Sequence, residues 1–167
     1  MKKILFMLCA ICCLSACGVE QVDTGNRGVK TVWGEVKGES LPEGLYFYNP
    51  FSTDIHEMNC KTVKSVYSFE TYTKDVQQAK IEFSINYSVD STKAHLLFKE
   101  VGKYYSTQVI EPKVIQAVKD IIGKWEADTL VANREKATAE IFNILKETLT
   151  VNHINVENAV LENIEYT

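Results

Sequence analysis

The sequence predicts an α+β domain, built from a mixed, mostly antiparallel sheet with packed helices. Two observations carry this prediction. Apolar and polar residues alternate with strict period two from Gln78 to Val89, which indicates a half-buried strand. Between residues 94 and 150 the apolar residues recur at helical spacing instead. Strands therefore come first and helices second, and this segregation favours α+β over an alternating α/β architecture.

The first third of the chain has the composition of short strands. Residues 28–36 are rich in β-branched and aromatic types and predict one strand, which the glycine-containing stretch 38–44 interrupts. An aromatic strand is expected at 45–48. Asn49 and Pro50 end it, because proline cannot donate to a ladder and Asn-Pro favours turns. Residues 55–69 predict either a pair of strands or one bent strand.

Two helical stretches follow the alternating strand. A short amphipathic helix around residues 95–98 is expected to end at Gly102. Residues 103–122 predict further helix, with one apolar stripe and with Gly123 in the place of a C-terminal cap. Pro112 is expected to kink or restart this helix, since its ring removes a backbone donor.

The last elements are a long helix and a closing strand. Asp128 or Thr129 is positioned to cap a helix that carries apolar residues as far as Leu149. Apolar residues at even positions between Ile154 and Tyr166 predict a final strand that returns to the sheet.

Length and charge exclude several functional classes. The chain has 167 residues, 46% hydrophobic and 24% charged, which suits one ordinary globular domain. Its formal charge is −4, so it lacks the basic excess that binding to nucleic-acid phosphates requires. We therefore expect no nucleic-acid partner.

The first sixteen residues have the layout of an export signal. Lys2 and Lys3 precede an apolar run from Ile4 to Leu14, which is shorter than the roughly 20 residues that span a bilayer. We expect a signal peptide at 1–16, a tether at 17–27 and the folded domain at 28–167.

The segment Leu14-Ser15-Ala16-Cys17 resembles a bacterial lipobox. The resemblance implies cleavage before Cys17 and alkylation of its thiol by diacylglycerol, which carries palmitate-type chains; an ordinary cleaved signal is the alternative. Cleavage would leave 16 basic and 22 acidic residues, a net charge of −6, so attraction to anionic head groups is not expected. The protein would be a lipid-anchored membrane lipoprotein that faces the periplasm or the cell exterior, on the inner or the outer membrane.

No catalytic or metal motif is expected to operate. The sequence contains no Gly-x-Ser-x-Gly elbow, Walker loop or Gly-x-Gly-x-x-Gly. His56 and Cys60, four apart on a strand, would lie about 13 Å apart and could not share one zinc ion. Cys60 with His95 or His153 would be a conceivable nucleophile, but nothing in the sequence orients either imidazole, and packing is the favoured role of Cys60. We expect neither cofactor nor metal.

Four separated motifs occur in the sequence: an opening motif in two parts, Gly25–Val29 and Leu41–Pro50, then Val109–Pro112, Leu130–Glu135 and Ile154–Ile164. These motifs resemble the SPFH/band 7 superfamily, which contains the stomatin, prohibitin and flotillin domains, and the prohibitin branch is the most similar. They appear in the family's order from about Gly25 to the end of the sequence. The positions that carry the motifs are expected to be structural or to form an interface: Gly28, Gly44, Pro50, Pro112, Arg134 and Glu135.

The resemblance implies a scaffold or regulator and not an enzyme. Domains of this family assemble side by side at membranes and organise other band 7 proteins or membrane AAA proteases, so a homo-oligomer is expected. The alternative is a monomeric accessory or inhibitory lipoprotein that docks onto a full-length relative or its protease partner. Relatives continue into a helical coiled coil, whereas this sequence stops at Tyr166-Thr167, so a domain without that element is expected.

Two further points stay open in the sequence. Arg134 either contacts a neighbouring subunit or pairs with a carboxylate inside the domain, and the internal partner is favoured. A group of aromatic residues either fills the core or presses on lipid near the anchor as an interfacial belt. The group comprises Trp33, Tyr46, Phe47, Tyr48 and Phe51.

Overall fold

The computed structural model describes residues 17–166, so the expected signal peptide at 1–16 lies outside the described residues. Eight strands form three antiparallel sheets. The strands are β1 (Gly18–Val22), β2 (Asn26–Val32), β3 (Glu35–Val36), β4 (Gly44–Tyr48), β5 (Thr53–Asn59), β6 (Val63–Tyr72), β7 (Gln78–Val89) and β8 (Ile154–Tyr166). The helices are α1 (Ala94–Glu100), α2 (Glu111–Ile122), α3 (Ala127–Ala132) and α4 (Arg134–Thr150), with a π-helical turn at Ser106–Ile110. The α+β prediction is confirmed.

The sheets divide the strands by sequence position. β1 pairs with β4, β2 lies between β3 and β5, and β7 lies between β6 and β8. The predicted alternating strand is β7, with the predicted bounds, and its inward side chains are buried. Helices α2 and α4 cover the same face of this sheet with fully buried apolar residues, among them Val118 and Ile141. The principal hydrophobic core therefore lies between the β6–β7–β8 sheet and the helices.

The prediction of one strand at 28–36 is wrong. The chain turns at Trp33 and Gly34, whose φ angles are +52° and +81°, and β2 and β3 form a hairpin on either side. Two successive positive φ angles are typical of the tight hairpin turn that matches strand twist. The stretch 55–69 contains parts of β5 and β6, which belong to different sheets, so the alternative with two strands is correct.

The predicted long third helix is two helices. Asn133, with φ −117° and ψ 28°, interrupts it between α3 and α4. The residue before α3 is Glu126, with extended backbone angles, so neither Asp128 nor Thr129 is the N-cap. Pro112 restarts the preceding helix as predicted, because it lies in the first turn of α2 where no backbone donor is needed.

The strict alternation expected in the last strand is wrong in its middle. The pairing of β8 with β7 shifts twice, at Glu157 and at Glu162, where one extra residue is inserted. Each bulge moves the following side chains to the other face of the sheet. Ala159 and Leu161 are consequently buried, whereas Val160, expected to point inward, is 42% exposed.

Candidate functional site

Three exposed aromatic side chains lie in the β1–β5 part of the chain. Trp33 is 80% exposed, Phe51 is 78% exposed and Phe47 is 68% exposed. These values exclude core packing as the role of the three rings, whereas Tyr46 and Tyr48 are partly buried. Large apolar side chains this exposed indicate contact with something outside the domain when they occur together.

The backbone of Trp33 adopts an unfavourable conformation. It occupies the first position of the two-residue β2–β3 turn with φ +52°, a region that bulky residues rarely adopt and that Asn or Gly prefers at this position. This strained backbone places the indole ring of Trp33 at the tip of a hairpin, where the ring does not pack in the core. Such outliers are found where function requires the side chain.

Hydrogen bonds bring the aromatic residues to the same end of the molecule. The Trp33 amide donates to the carbonyl oxygen of Ser52 at 2.8 Å, which joins the hairpin tip to the turn after β4. Within that turn the Phe51 amide donates to Asn49 Oδ1 at 3.0 Å. Trp33 and Phe51 therefore project from two adjoining turns.

Cys17 lies at this same end. Gly18 pairs with Tyr48, so the residue before β1 lies beside the turn that begins at Asn49. Cys17 is exposed. On the β1–β4 ribbon, Phe47 pairs with Val19, which is 52% exposed, and Leu45 lies on the same outward face with 56% exposure. We call the surface formed by Val19, Trp33, Leu45, Phe47 and Phe51 the aromatic end.

The charged residues at the tip neutralise each other. Lys37 Nζ lies 2.8 Å from Glu35 Oε2 directly after the hairpin turn. The hydrogen bond from Lys37 and its positive charge hold the pKa of the Glu35 carboxyl below its usual range. This ion pair adds no net charge beside Trp33, and we expect a surface that the aromatic end binds to be recognised by burial of apolar area.

Arg134 anchors the start of α4 to β8. Its Nε donates to the Leu161 carbonyl at 3.0 Å, and its Nη2 donates to the carbonyls of Leu161 and Glu162, the latter at 2.6 Å. The partners lie inside the domain, as favoured, but they are carbonyl oxygens and not a carboxylate. The carboxylate of Glu162 instead binds Lys64 at 2.7 Å, and hydrogen bonds from Lys64 and Ser84 lower its pKa.

The outer edge of β8 is occupied along its second half. Asn158 Oδ1 accepts the Ala159 amide and Asn163 Oδ1 accepts the Ile164 amide, both at 2.9 Å. Together with Arg134, these side chains use backbone groups that a further strand would need. Residue types alone do not single out the two asparagines, because their role depends on the two bulges.

A groove of about 550 Å³ runs between α4 and β8 beside this anchor. Glu135, Thr138 and Phe142 line its helical wall, and Ala159 and Val160 line its strand wall. Glu135 is exposed and projects from the first turn of α4. The two motif residues therefore have different roles, since Arg134 holds the start of α4 against β8 while Glu135 faces the groove.

The remaining motif positions lie at turns and close contacts. Gly28 is buried and exchanges two backbone hydrogen bonds with Leu41, at 2.9 and 2.7 Å, and a Cβ there would lie 2.9 Å from Val22 Cγ2. Gly44, with φ +147°, begins β4 in a conformation that favours glycine. Pro50 lies in the turn that carries Phe51, and so helps to shape the aromatic end.

The three cysteine and histidine hypotheses find no geometric support in residues 17–166. Cys60 is half-buried, packs against the core, and contacts the Met58 carbonyl at 3.7 Å. Burial raises the pKa of its thiol, which opposes formation of the thiolate nucleophile. His95 Nδ1 lies 3.0 Å from Ser40 Oγ, and the His56 ring stacks on Phe98 with centroids 4.9 Å apart. Both histidines therefore hold α1 against the first half of the chain.

Residues 17–166 contain no group of three or more His, Cys, Asp or Glu side chains arranged to hold a metal ion. None of their helices combines the length and the apolar character needed to span a membrane.

Comparison with known proteins decides the family. The SPFH domain / Band 7 family profile matches residues 20–167. The chain belongs to this family. The matched segment includes every strand except the start of β1, all four helices, and both Arg134 and Glu135.

The similar curated proteins are prohibitins. Prohibitin-2 of Schizosaccharomyces pombe is 24% identical over 144 residues, covering 80% of this chain and 50% of the relative. Prohibitin-4, mitochondrial, of Arabidopsis thaliana is 20% identical over 148 residues, covering 87% and 52%. Prohibitin-2 of Saccharomyces cerevisiae is 25% identical over 148 residues, covering 80% and 46%. The chain spans about half the length of the curated relatives it matches.

Proposed function

We propose that the protein is a lipid-anchored, prohibitin-like scaffold or regulatory protein, held at a membrane surface by acylated Cys17 and by the aromatic end. Membership of a family of membrane-associated scaffolds supports the general role. The observation that carries the specific proposal is that Cys17 and the exposed rings of Trp33 and Phe51 lie at one end of the domain. An acyl chain on Cys17 would bring these rings to the bilayer interface, where aromatic side chains are favourable.

The two membrane contacts would reinforce each other. The two or more acyl chains on a lipidated Cys17 would anchor the protein stably, and the apolar contact of the aromatic end adds to this because the anchor already holds the domain at the surface. Full burial of an aromatic side chain is worth about 1.5–3 kcal/mol, so partial insertion of Trp33, Phe47 and Phe51 is a substantial second signal. The folded domain would then lie with its helices directed away from the lipid, toward the periplasm or the cell exterior.

The regulatory part of the proposal concerns the α4–β8 groove. It lies on the helical half of the chain, presents Glu135 and the Phe142 ring together, and stays accessible beside an anchored helix. In this proposal the groove binds a partner protein, either another band 7 protein or a membrane AAA protease. A monomeric accessory lipoprotein that docks onto such a partner would use the same surface.

The membrane contact is tested with tryptophan fluorescence of the full chain. Trp125→Phe leaves Trp33 as the single tryptophan, and its emission is expected to shift to shorter wavelength and to be quenched by brominated lipid when vesicles are added. The matched control is Trp33→Phe, which leaves the partly buried Trp125 and is expected to show neither change. Unchanged Trp33 emission would refute the role of the aromatic end.

The anchor is tested separately by fractionation of cells that express the full chain. Cys17→Ala is expected to move the protein from the membrane to the soluble fraction, whereas Cys60→Ala, the matched control at the other described cysteine, leaves it on the membrane. Mass spectrometry of the purified chain should find the acyl mass on the peptide that begins at Cys17. Continued membrane attachment of the Cys17→Ala variant would count against lipidation.

A further inference from the structure

The two edges of the β6–β7–β8 sheet differ in a way that concerns assembly. The outer edge of β8 carries two bulges and is occupied by Arg134, Asn158 and Asn163. The outer edge of β6 carries no bulge, and its ladder with β7 runs without a shift over ten residue pairs. Among residues 17–166, no strand or side chain hydrogen-bonds to the outward backbone groups of Lys64–Glu70.

The hairpin turn determines which residues of β6 face this open edge. The Thr73 amide donates to the Gln77 carbonyl at 3.0 Å, so odd-numbered residues of β6 form the hydrogen-bonded pairs with β7. The even-numbered residues between them direct their backbone groups outward. The same alternation holds on β8, where the Leu161 carbonyl, bound by Arg134, points away from β7. The open acceptors and donors of β6 thus belong to Lys64, Val66, Ser68 and Glu70.

The loop after α2 limits the open stretch at one end. The Lys74 amide donates to the Trp125 carbonyl at 2.9 Å, and the Tyr72 carbonyl lies close to Gly123. The accessible edge is therefore Lys64–Glu70, centred on Tyr67, with two residues on each side of Tyr67 whose backbone groups point outward.

We propose that this edge pairs with the β6 edge of a second copy of the chain, in an antiparallel arrangement with the two-fold axis at Tyr67. Hydrogen bonding requires that even-numbered residues of one copy face even-numbered residues of the other. Only the register centred on Tyr67 also places Lys64 opposite Glu70 of the second copy, and symmetry makes this ion pair twice. Val66 then faces Ser68, and the two helix-covered faces lie on the same side of one six-stranded sheet.

Both charged groups have the capacity for this additional contact. Lys64 is bound to Glu162 in the single chain, but an ammonium group has three donors. Glu70 accepts from Gln78 Nε2 through Oε2 at 2.8 Å, which leaves Oε1 available. The Lys64 side chain is 56% exposed and Val66 is 47% exposed, so neither has to leave the core to pair.

This proposal deepens the assembly aspect of the proposed scaffold role, but it rests on the sheet edge and not on membrane contact. The test measures the protein mass of the detergent-solubilised full chain over a concentration series at low salt, by light scattering that separates protein from detergent. The wild type is expected to form a dimer. Lys64→Glu alone or Glu70→Lys alone creates two like-charge pairs, and each is expected to weaken dimerisation by about tenfold or more.

Two combinations restore the complementary charges. The double variant Lys64→Glu with Glu70→Lys should dimerise again, and a mixture of the two single variants should form a heterodimer. The matched control is Glu82→Lys, an exposed position on the same face of central strand β7 that lies opposite the uncharged Ser68, and it should leave the dimer unchanged.

A backbone variant tests the same edge without charge. Val66→Pro removes an outward amide while it spares the ladder with β7, so the variant should stay folded and be monomeric. Its membrane contact, followed by Trp33 emission, should match the wild type, which separates this proposal from the proposed function. A wild type that stays monomeric at the highest concentration overturns the proposal. A dimer or larger assembly that is indifferent to all edge variants overturns it as well.

Discussion

Replacing Arg134 by methionine should destabilise the domain through β8. The guanidinium group makes three N–H···O contacts to two carbonyl oxygens at the second bulge of that strand. Hydrogen bonds from charged donors contribute about 1.5–3 kcal/mol each when buried, but Arg134 is exposed, and water can replace part of what it donates. We therefore expect the free energy of unfolding to fall by about 2 kcal/mol in total, which corresponds to about 4–8 °C in Tm for a domain of this size.

Thermal unfolding followed by circular dichroism measures this loss, and hydrogen exchange locates it. Amides from Leu161 to the end of β8 should exchange faster in Arg134→Met, whereas those of β2 should not change. Arg27→Met is the matched control, because Arg27 makes no side-chain hydrogen bond within residues 17–166. Arg134→Lys should fall between the wild type and Arg134→Met, since an ammonium group cannot reproduce the planar fork. Equal stability of Arg134→Met and Arg27→Met would refute the anchoring role.

Four further predictions concern packing, pH and reactivity. Phe83→Ala should lower the free energy of unfolding by about 3–5 kcal/mol in urea titrations, while the same change at exposed Phe51 stays within about 0.5 kcal/mol. Gly28→Ala should cost about 1–3 kcal/mol, because its methyl group would overlap a valine methyl; wild-type stability would contradict the close contact. Burial lowers the pKa of His56, so the folded state favours the neutral ring and stability should decline as pH falls below 6.5; His56→Gln should flatten that decline. Burial raises the pKa of Cys60, so iodoacetamide should label it more slowly in the folded chain than in urea at the same pH; equal rates would refute this.

Sequence periodicity correctly predicted those strands and helices that have the same neighbouring elements along their whole length. Strand β7 lies between two strands and under the helices, so its alternation is unbroken and its bounds could be read from the sequence. Strand β8 also carries apolar residues at alternating positions, but it lies at the edge of the sheet beside α4. The first bulge, at Glu157, reverses the faces that Ala159 and Val160 occupy. A bulge shifts the phase of the alternation, so residue types alone do not reveal it.

The helix break and the hairpin were missed for local reasons. Asn133 does not differ in type from residues that lie inside helices, and only its backbone angles separate α3 from α4. Trp33 was assigned to a strand because aromatic residues favour strands, whereas the chain uses it in a turn against its preference. The conflict between residue type and conformation marks the position as one where local stability is given up.

The candidate site was predictable in its residues but not in its arrangement. The sequence singles out Cys17 and the aromatic cluster, yet exposure decides between core and surface, and exposure depends on which turns adjoin. The hydrogen bond from Trp33 to Ser52 joins positions nineteen residues apart along the chain, and no periodicity encodes it. An internal partner for Arg134 was predictable on energetic grounds, but its contact with two successive carbonyls depends on the second bulge of β8, whose extra residue is Glu162.

The occupied edge of β8 has a consequence for how far the sheet can grow. When two copies pair through β6, both outer edges of the combined sheet are β8 strands. The backbone groups of each β8 edge are already bound by an arginine and two asparagines. Strand addition by this route stops at two copies, because no open sheet edge is left to pair with a third copy. The same side chains that stabilise one domain therefore also protect it from open-ended fibre formation.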